Sequence, residues 1–129
     1  MNHIIDKLEV HRSELIAGRG TTLEQIRSAE AALDLVFSDD YRQYLLKYSV
    51  IAYDGHELTG ICPDSRLNVI SVTQRQRVNN PIPDDFYVVE ETNVDGIVIW
   101  QDFTGTVYAQ SPTGKPVPIA NDLAAYLHL

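Results

Sequence analysis

At 129 residues, 44% hydrophobic and 22% charged, the chain has the length of one domain, residues 1–129, able to bury roughly two thirds of its unfolded surface without metal or disulfide support. Its single cysteine, Cys62, excludes an internal disulfide, and no run approaches the ~18 apolar residues of a membrane-spanning helix. The net charge of -8 is uneven: residues 1–83 carry 11 acids and 9 bases, residues 84–129 carry 7 acids and only Lys115, so the second part repels phosphate backbones and direct nucleic-acid binding is not expected.

From the start, Ile4, Ile5, Leu8, His11, Leu15 and Ile16 recur at helical spacing and predict a leading helix within residues 1–20, stopped at Gly18-Arg19-Gly20. Met1 to Asp6 shows no basic segment leading into an apolar core, so the expected location is the cytoplasm, without a membrane partner. Thr22 with Gln25, and Thr21 with Glu24, have capping-box spacing, and either threonine can open a second helix reaching about Leu35. Its apolar stripe reads Ile26, Ala29, Leu33 and Val36, after which Leu35 and Phe37 lead the chain away. Ser38 is placed to cap a third helix, with Asp39 and Asp40 at the positive end of its dipole. There Tyr41, Tyr44, Leu45 and Tyr48 fall at i, i+3, i+4 and i+7, a core-facing stripe whose hydroxyls are expected at the rim.

Beyond Tyr48 the signals shorten. His56 to Gly60 and Leu67 to Ile70 read as strands about a Pro63-Asp64 turn, and Val72 to Val78 as a short helix on the polar side of a sheet, ended by Asn79-Asn80-Pro81. Tyr87 to Glu91, Ile97 to Gln101 and Thr106 to Gln110 read as strands joined by tight turns, an antiparallel meander. Ile97-Val98-Ile99-Trp100 is apolar on both faces, which predicts a central strand covered on both sides. Ser111 to Pro116 reads as a turn-rich crossing, and Asn121 as the cap of a last helix through Leu123, Tyr126 and Leu127. The expected class is α+β: an antiparallel, mostly meander sheet with N-terminal helices and a C-terminal helix packed against it.

The run A-E-x-x-L-x-L-x-F-x-x-x-Y-x-x-Y-L-L-x-Y from Ala29 to Tyr48 resembles the signature of the SUKH superfamily, which includes fungal cell-wall assembly regulators and many bacterial immunity proteins. Gly55-His56-Glu57-Leu58-Thr59-Gly60 is similar to that family's G-x-E-L-x-G element, and Phe86 to Glu91 to its next buried strand. Asp95-Gly96 to Tyr108 resembles its D-G hairpin, and Ile119 to Leu127 its closing helix, so the likeness runs from about residue 22 to 129. Ser38 stands where the family usually has proline, and Ser49-Val50 replaces its usual Asn-Gly. The resemblance implies a non-enzymatic immunity protein that binds and neutralises a cognate toxin domain; the alternative is a regulatory interaction module like the cell-wall regulators. The acidic second part adds the expectation that the toxin is basic, for example a nuclease.

No catalytic, cofactor-binding or metal-binding residue is assigned. In Asp54-Gly55-His56-Glu57, strand alternation points Asp54 and His56 one way and Glu57 the other, too few convergent ligands for zinc. His3, His11 and His128 have no partner spacing, and Cys62 lacks a visible activating base, so a small hydrolase using Cys62 and His56 is disfavoured. Trp100, Tyr108, Phe103 and Tyr87 read as meander core rather than as a ligand platform. The carboxylates Glu90, Glu91, Asp95 and Asp102 crowd one hairpin in sequence and read either as a solvated edge or as a partner-facing acidic patch.

Overall fold

The computed structural model describes the backbone of residues 3–129 and side chains from Ile4 onward, so Met1, Asn2 and the His3 side chain lie outside it. The elements are α1 (His3–Val10), a short 3-10 turn at Arg12–Glu14, β1 (Ile16–Ala17), α2 (Leu23–Leu33) and α3 (Asp39–Lys47). They are followed by β2 (Ile51–Tyr53), β3 (His56–Glu57), α4 (Val69–Asn79) and β4 (Tyr87–Glu91). The chain closes with β5 (Val98–Gln101), β6 (Val107–Gln110), β7 (Val117–Ala120) and α5 (Leu123–Tyr126). The α+β expectation holds, with two antiparallel sheets in orders β1-β2-β3 and β4-β5-β6-β7.

Local chemistry sets the helix starts. Thr22 and Gln25 form the capping box, the Gln25 amide donating to Thr22 Oγ1 and the Thr22 amide to Gln25 Oε1, each at 3.1 Å. α2 ends earlier than expected because Asp34 turns left-handed at φ 53°, which throws Val36 into solvent while Phe37 turns inward. Ser38 caps α3 as read, its Oγ accepting from the Tyr41 amide. Tyr41, Tyr44, Leu45 and Tyr48 are all buried, but the Tyr41 and Tyr44 hydroxyls do not reach the rim; both donate inward to Thr59. Ser49 takes the left-handed conformation that Asn and Gly favour, at φ 65°.

Four expectations are corrected. The leading helix stops at Val10, and Ile16 pairs with Ala52 as a strand. Leu67 to Ile70 is not a strand, because Asn68 Oδ1 accepts from the Ile70 and Ser71 amides and starts α4 there. A fourth meander strand, β7, follows the crossing at 111–116. Asp122 rather than Asn121 caps α5, accepting from the Ala125 amide at 2.8 Å.

The four-stranded sheet is buried on both faces over β4 and β5. Tyr87, Val89, Ile99 and Val107 join the main core with the stripes of α1, α2 and α3. On the other face Val88, Val98 and Trp100 pack with Phe86 and with Val72 of α4, so the side read as polar carries a second apolar core. The outer edge of β4 is sealed: the Thr59 amide donates to Val89 O, Thr59 Oγ1 donates to Val88 O, and Thr73 Oγ1 accepts from the Val88 amide. Gly60 lets this segment pass, since a Cβ there would stand 1.5 Å from the Ser49 carbonyl oxygen.

Candidate functional site

Because strands of a meander alternate in direction, its turns alternate between two ends of the sheet. The β4–β5 and β6–β7 turns share one end, where Gly96 meets Pro112. The β5–β6 turn lies at the other, beside the start of β4 and the exit from β7, where Gly105 approaches the Asn121 carbonyl. This geometry separates the four carboxylates that sequence places together.

Glu90 is the clear correction: it is 4% exposed and unavailable to a surface partner. A register shift between Val88 and Glu90 pairs Glu90 with Ile99, so the bulge turns its side chain onto the main-core face that Ile99 occupies. Its carboxylate accepts from His56 Nδ1 at 2.9 Å, the Glu57 amide at 2.9 Å and the Tyr126 hydroxyl at 2.5 Å. It thereby ties β3, β4 and α5 together. Burial, then the neighbouring Glu90, hold the Tyr126 phenol far above its ordinary pKa.

Glu91 sits at the first end, half-buried, paired with Arg75 at 3.0 Å and with the Gln76 amide group. Asp95 is exposed in the turn beside it, at φ 54°. Asp102 is at the second end and 8% exposed; its Oδ1 accepts from the Thr104 amide and hydroxyl, and its Oδ2 from the Tyr108 hydroxyl at 2.8 Å. Burial and Asp102 raise the Tyr108 pKa, with a further contribution from nearby Asp85.

Around Asp102 the fold gathers acids that sequence reading left scattered. Asp40 accepts from Gln101 Nε2 at 3.1 Å and from the Leu123 amide at 2.8 Å, which brings the start of α3 to β5 and α5. Asp39 is exposed next to it, Asp122 is exposed at the start of α5, and Asp84 and Asp85 precede β4. Each of these aspartates precedes or opens an element, and it is the fold, through β7 and the Asp40 bonds, that brings those starts to one end of the sheet. Arg77 reaches this region, but its guanidinium donates to the main-chain oxygens of Leu33, Asp84 and Phe86.

The aromatic set divides as well. Tyr87 and Trp100 are fully buried on opposite faces, Tyr87 bonded to Ser38 and Gln101 and Trp100 Nε1 donating to Gln110 Oε1 at 3.0 Å. Tyr108 stacks on Phe86 with centroids 4.5 Å apart, whereas Phe103 is 58% exposed at the tip of the β5–β6 turn. Asp54 and Gly55, both at positive φ, make the two-residue turn between β2 and β3, so Asp54 is no strand partner of His56. Cys62 is half-buried with its thiol directed to the Asp64 carbonyl, and burial raises its pKa away from thiolate. His11 pairs with Glu14, and His128 is exposed after α5. Among the described residues no group of three or more His, Cys, Asp or Glu side chains converges to hold a metal, and no helix is long and apolar enough to cross a membrane.

The chain is thus an α+β domain with a sealed sheet edge, a double-sided core and one acidic end bearing an exposed aromatic. The model of the SMI1-KNR4 cell-wall family, a SUKH family, matches residues 1–128, and the chain belongs to that family. The match includes the leading helix as well as the segment from residue 22 on which the resemblance was read. No curated protein matches the chain.

Proposed function

We propose that this chain is a non-enzymatic immunity protein that acts in the cytoplasm of the producing cell as a single domain, binding a cognate toxin domain and blocking its action. Membership of a SUKH family over residues 1–128 carries the reading, since that family supports a role in protein–protein interaction. The charge supports a basic toxin, a nuclease being one example: beyond Arg77 only Lys115 is positive. Exposed charges of this kind speed association with an oppositely charged partner, and the effect weakens as salt rises.

The deciding experiment is co-expression with the toxin domain encoded beside the gene. The expected outcome is restored growth and a stable complex on co-purification. Continued killing, with no complex between the two purified proteins, would remove the immunity role. A second reading, a regulatory module acting on an envelope-synthesis or signalling partner, is favoured by the family's cell-wall description. A gene neighbourhood free of toxins, with a cell-wall assembly phenotype on deletion, would shift the choice to it.

A further inference from the structure

We propose that the partner is met at the acidic end of the four-stranded sheet, with Phe103 as an apolar anchor inside a rim of Asp39, Asp84, Asp85 and Asp122, and that the surface it takes there is a basic protein face. The inference rests on the immunity reading and assigns its interface.

Phe103 is the starting point. It lies at the tip of a tight turn whose backbone is fixed from both sides: the Gly105 amide donates to Asp102 O, the Asp102 amide donates to Thr106 O, and Asp102 Oδ1 accepts from the Thr104 amide. Gln101 Nε2 also donates to the Gly105 carbonyl at 3.0 Å. An aromatic that is 58% exposed on a fixed backbone has only its side-chain torsions left to order on binding, and aromatic residues dominate protein interfaces when they fill a partner's pocket. The same turn borders a shallow depression of mixed polar and apolar lining, formed by Thr106, Pro118, Ile119, Ala120, Asn121 and Ala125, with Ile119 half exposed.

The charge around it decides the occupant. The rim aspartates come from three separate segments, the starts of α3, β4 and α5, with the buried Asp102 of the β5–β6 turn beneath them. None of Asp39, Asp84, Asp85 and Asp122 has a cation within salt-bridge distance among the described residues, whereas Glu30, Glu57 and Glu91 elsewhere are paired with arginines. A nucleic acid is repelled by this rim, and a second copy of the same face would set like charge against like. The acids do not converge as one cation's ligands, so several spread positive groups fit better than a single ion. A basic protein face with a pocket for one ring meets both requirements.

The test uses the full chain in two arms. First, the labelled protein is titrated with an arginine-leucine peptide and with its glutamate-leucine counterpart while amide resonances are followed. The arginine peptide should move the signals of Asp39, Phe103, Thr104, Gly105 and Asp122 in a salt-sensitive way, and the glutamate peptide should not. Shifts centred on Glu91 and Asp95, or spread evenly, would overturn the assignment. Second, with a toxin that the wild-type chain neutralises, Phe103→Ala should weaken Kd about tenfold or more, and Asp39→Lys with Asp85→Lys should slow association about tenfold. Phe103 and Asp39 are exposed and Asp85 is half-buried, and an unchanged thermal midpoint confirms the fold of both variants. If the toxin is neutralised and these variants bind within twofold of wild type, the interface is elsewhere and immunity stands. If no toxin is neutralised while the peptide maps to this end, the immunity reading fails and the surface stands.

Discussion

The two ends of the four-stranded sheet differ both in how many carboxylates they hold and in how those carboxylates are bonded. At the end of the β4–β5 and β6–β7 turns, Glu91 is matched by Arg75 and Gln76, and Lys115 lies in the adjoining loop. At the other end Asp40 and Asp102 bond to amides, hydroxyls and a Gln side chain, and Asp39, Asp84, Asp85 and Asp122 surround them without a paired cation. Acids that serve as caps and turn locks keep their negative charge uncompensated, whereas acids in ion pairs lose most of theirs at long range. Asp40, Asp102 and Asp122 serve at the acidic end as turn locks and caps, Asp39, Asp84 and Asp85 add to them, and Arg77, the cation that reaches this end, is bound to main-chain oxygens, so among the described residues the end has more acids than its opposite and no side-chain ion pair to match them.

The largest effect tests whether both ends rest on one core. Tyr87, bonded toward the acidic end, and Tyr126, bonded to Glu90, both have phenols whose pKa burial raises well above the ordinary range, as do Tyr41 and Tyr44. Tyr48 is pushed up to about 12. The unfolded phenol ionises near pH ~10. Below that pH both states keep the proton; above it the unfolded chain loses protons that the folded chain retains, so stability falls as pH rises toward the folded values. Phenolate absorbance and loss of far-ultraviolet dichroism should therefore rise together in one global transition above about pH 10. Four or more tyrosines ionising while the dichroism stayed native would contradict a shared, sealed core.

Next in size is the internal carboxylate. Glu90→Leu leaves the His56 ring, the Glu57 amide and the Tyr126 hydroxyl without their acceptor, and should cost about 3 kcal/mol in denaturant unfolding. Glu90→Gln, which keeps one acceptor, should cost about half of that. At the acidic end, Asp40→Ala releases Gln101 Nε2 and the Leu123 amide, and about 2 kcal/mol is expected because Asp40 is less buried. A loss below about 0.5 kcal/mol for Asp40→Ala would mean that α5 is not anchored through this carboxylate.

The contrast between the ends was only partly legible in the sequence, and the reasons are local. Caps are short-range chemistry, so Ser38 and Thr22 could be read directly, and the stripe Tyr41, Tyr44, Leu45, Tyr48 follows from helical period alone. β7 escaped because Val-Pro-Ile-Ala carries a proline and three exposed side chains, an edge strand without alternation. β1 is two residues long and exists only through its pairing with β2. Glu90 was misplaced because the bulge after Val88 breaks the period of two, and a bulge is fixed by partners far along the chain. The acidic end was missed because Asp40 and Leu123, whose bond joins the starts of α3 and α5, are 83 positions apart and meet only through the fold.

The smallest expected effect separates the ends most cleanly. Reversing Glu91 and Asp95 to lysine at the charge-matched end removes the partly exposed Arg75 pair, a loss of roughly 1 kcal/mol in stability. Its influence on a partner at the acidic end should be slight. The four residues of β5 span about 13 Å, beyond the Debye length of roughly 8 Å at physiological salt. Association rate constants at that salt should therefore stay within about twofold of wild type, while at low salt, where screening reaches ~30 Å, the reversal should begin to slow binding. If Glu91→Lys with Asp95→Lys slowed association at physiological salt as much as Asp39→Lys with Asp85→Lys, the partner would be reading the total charge of the chain. The distinction between the two ends would then carry no weight in recognition.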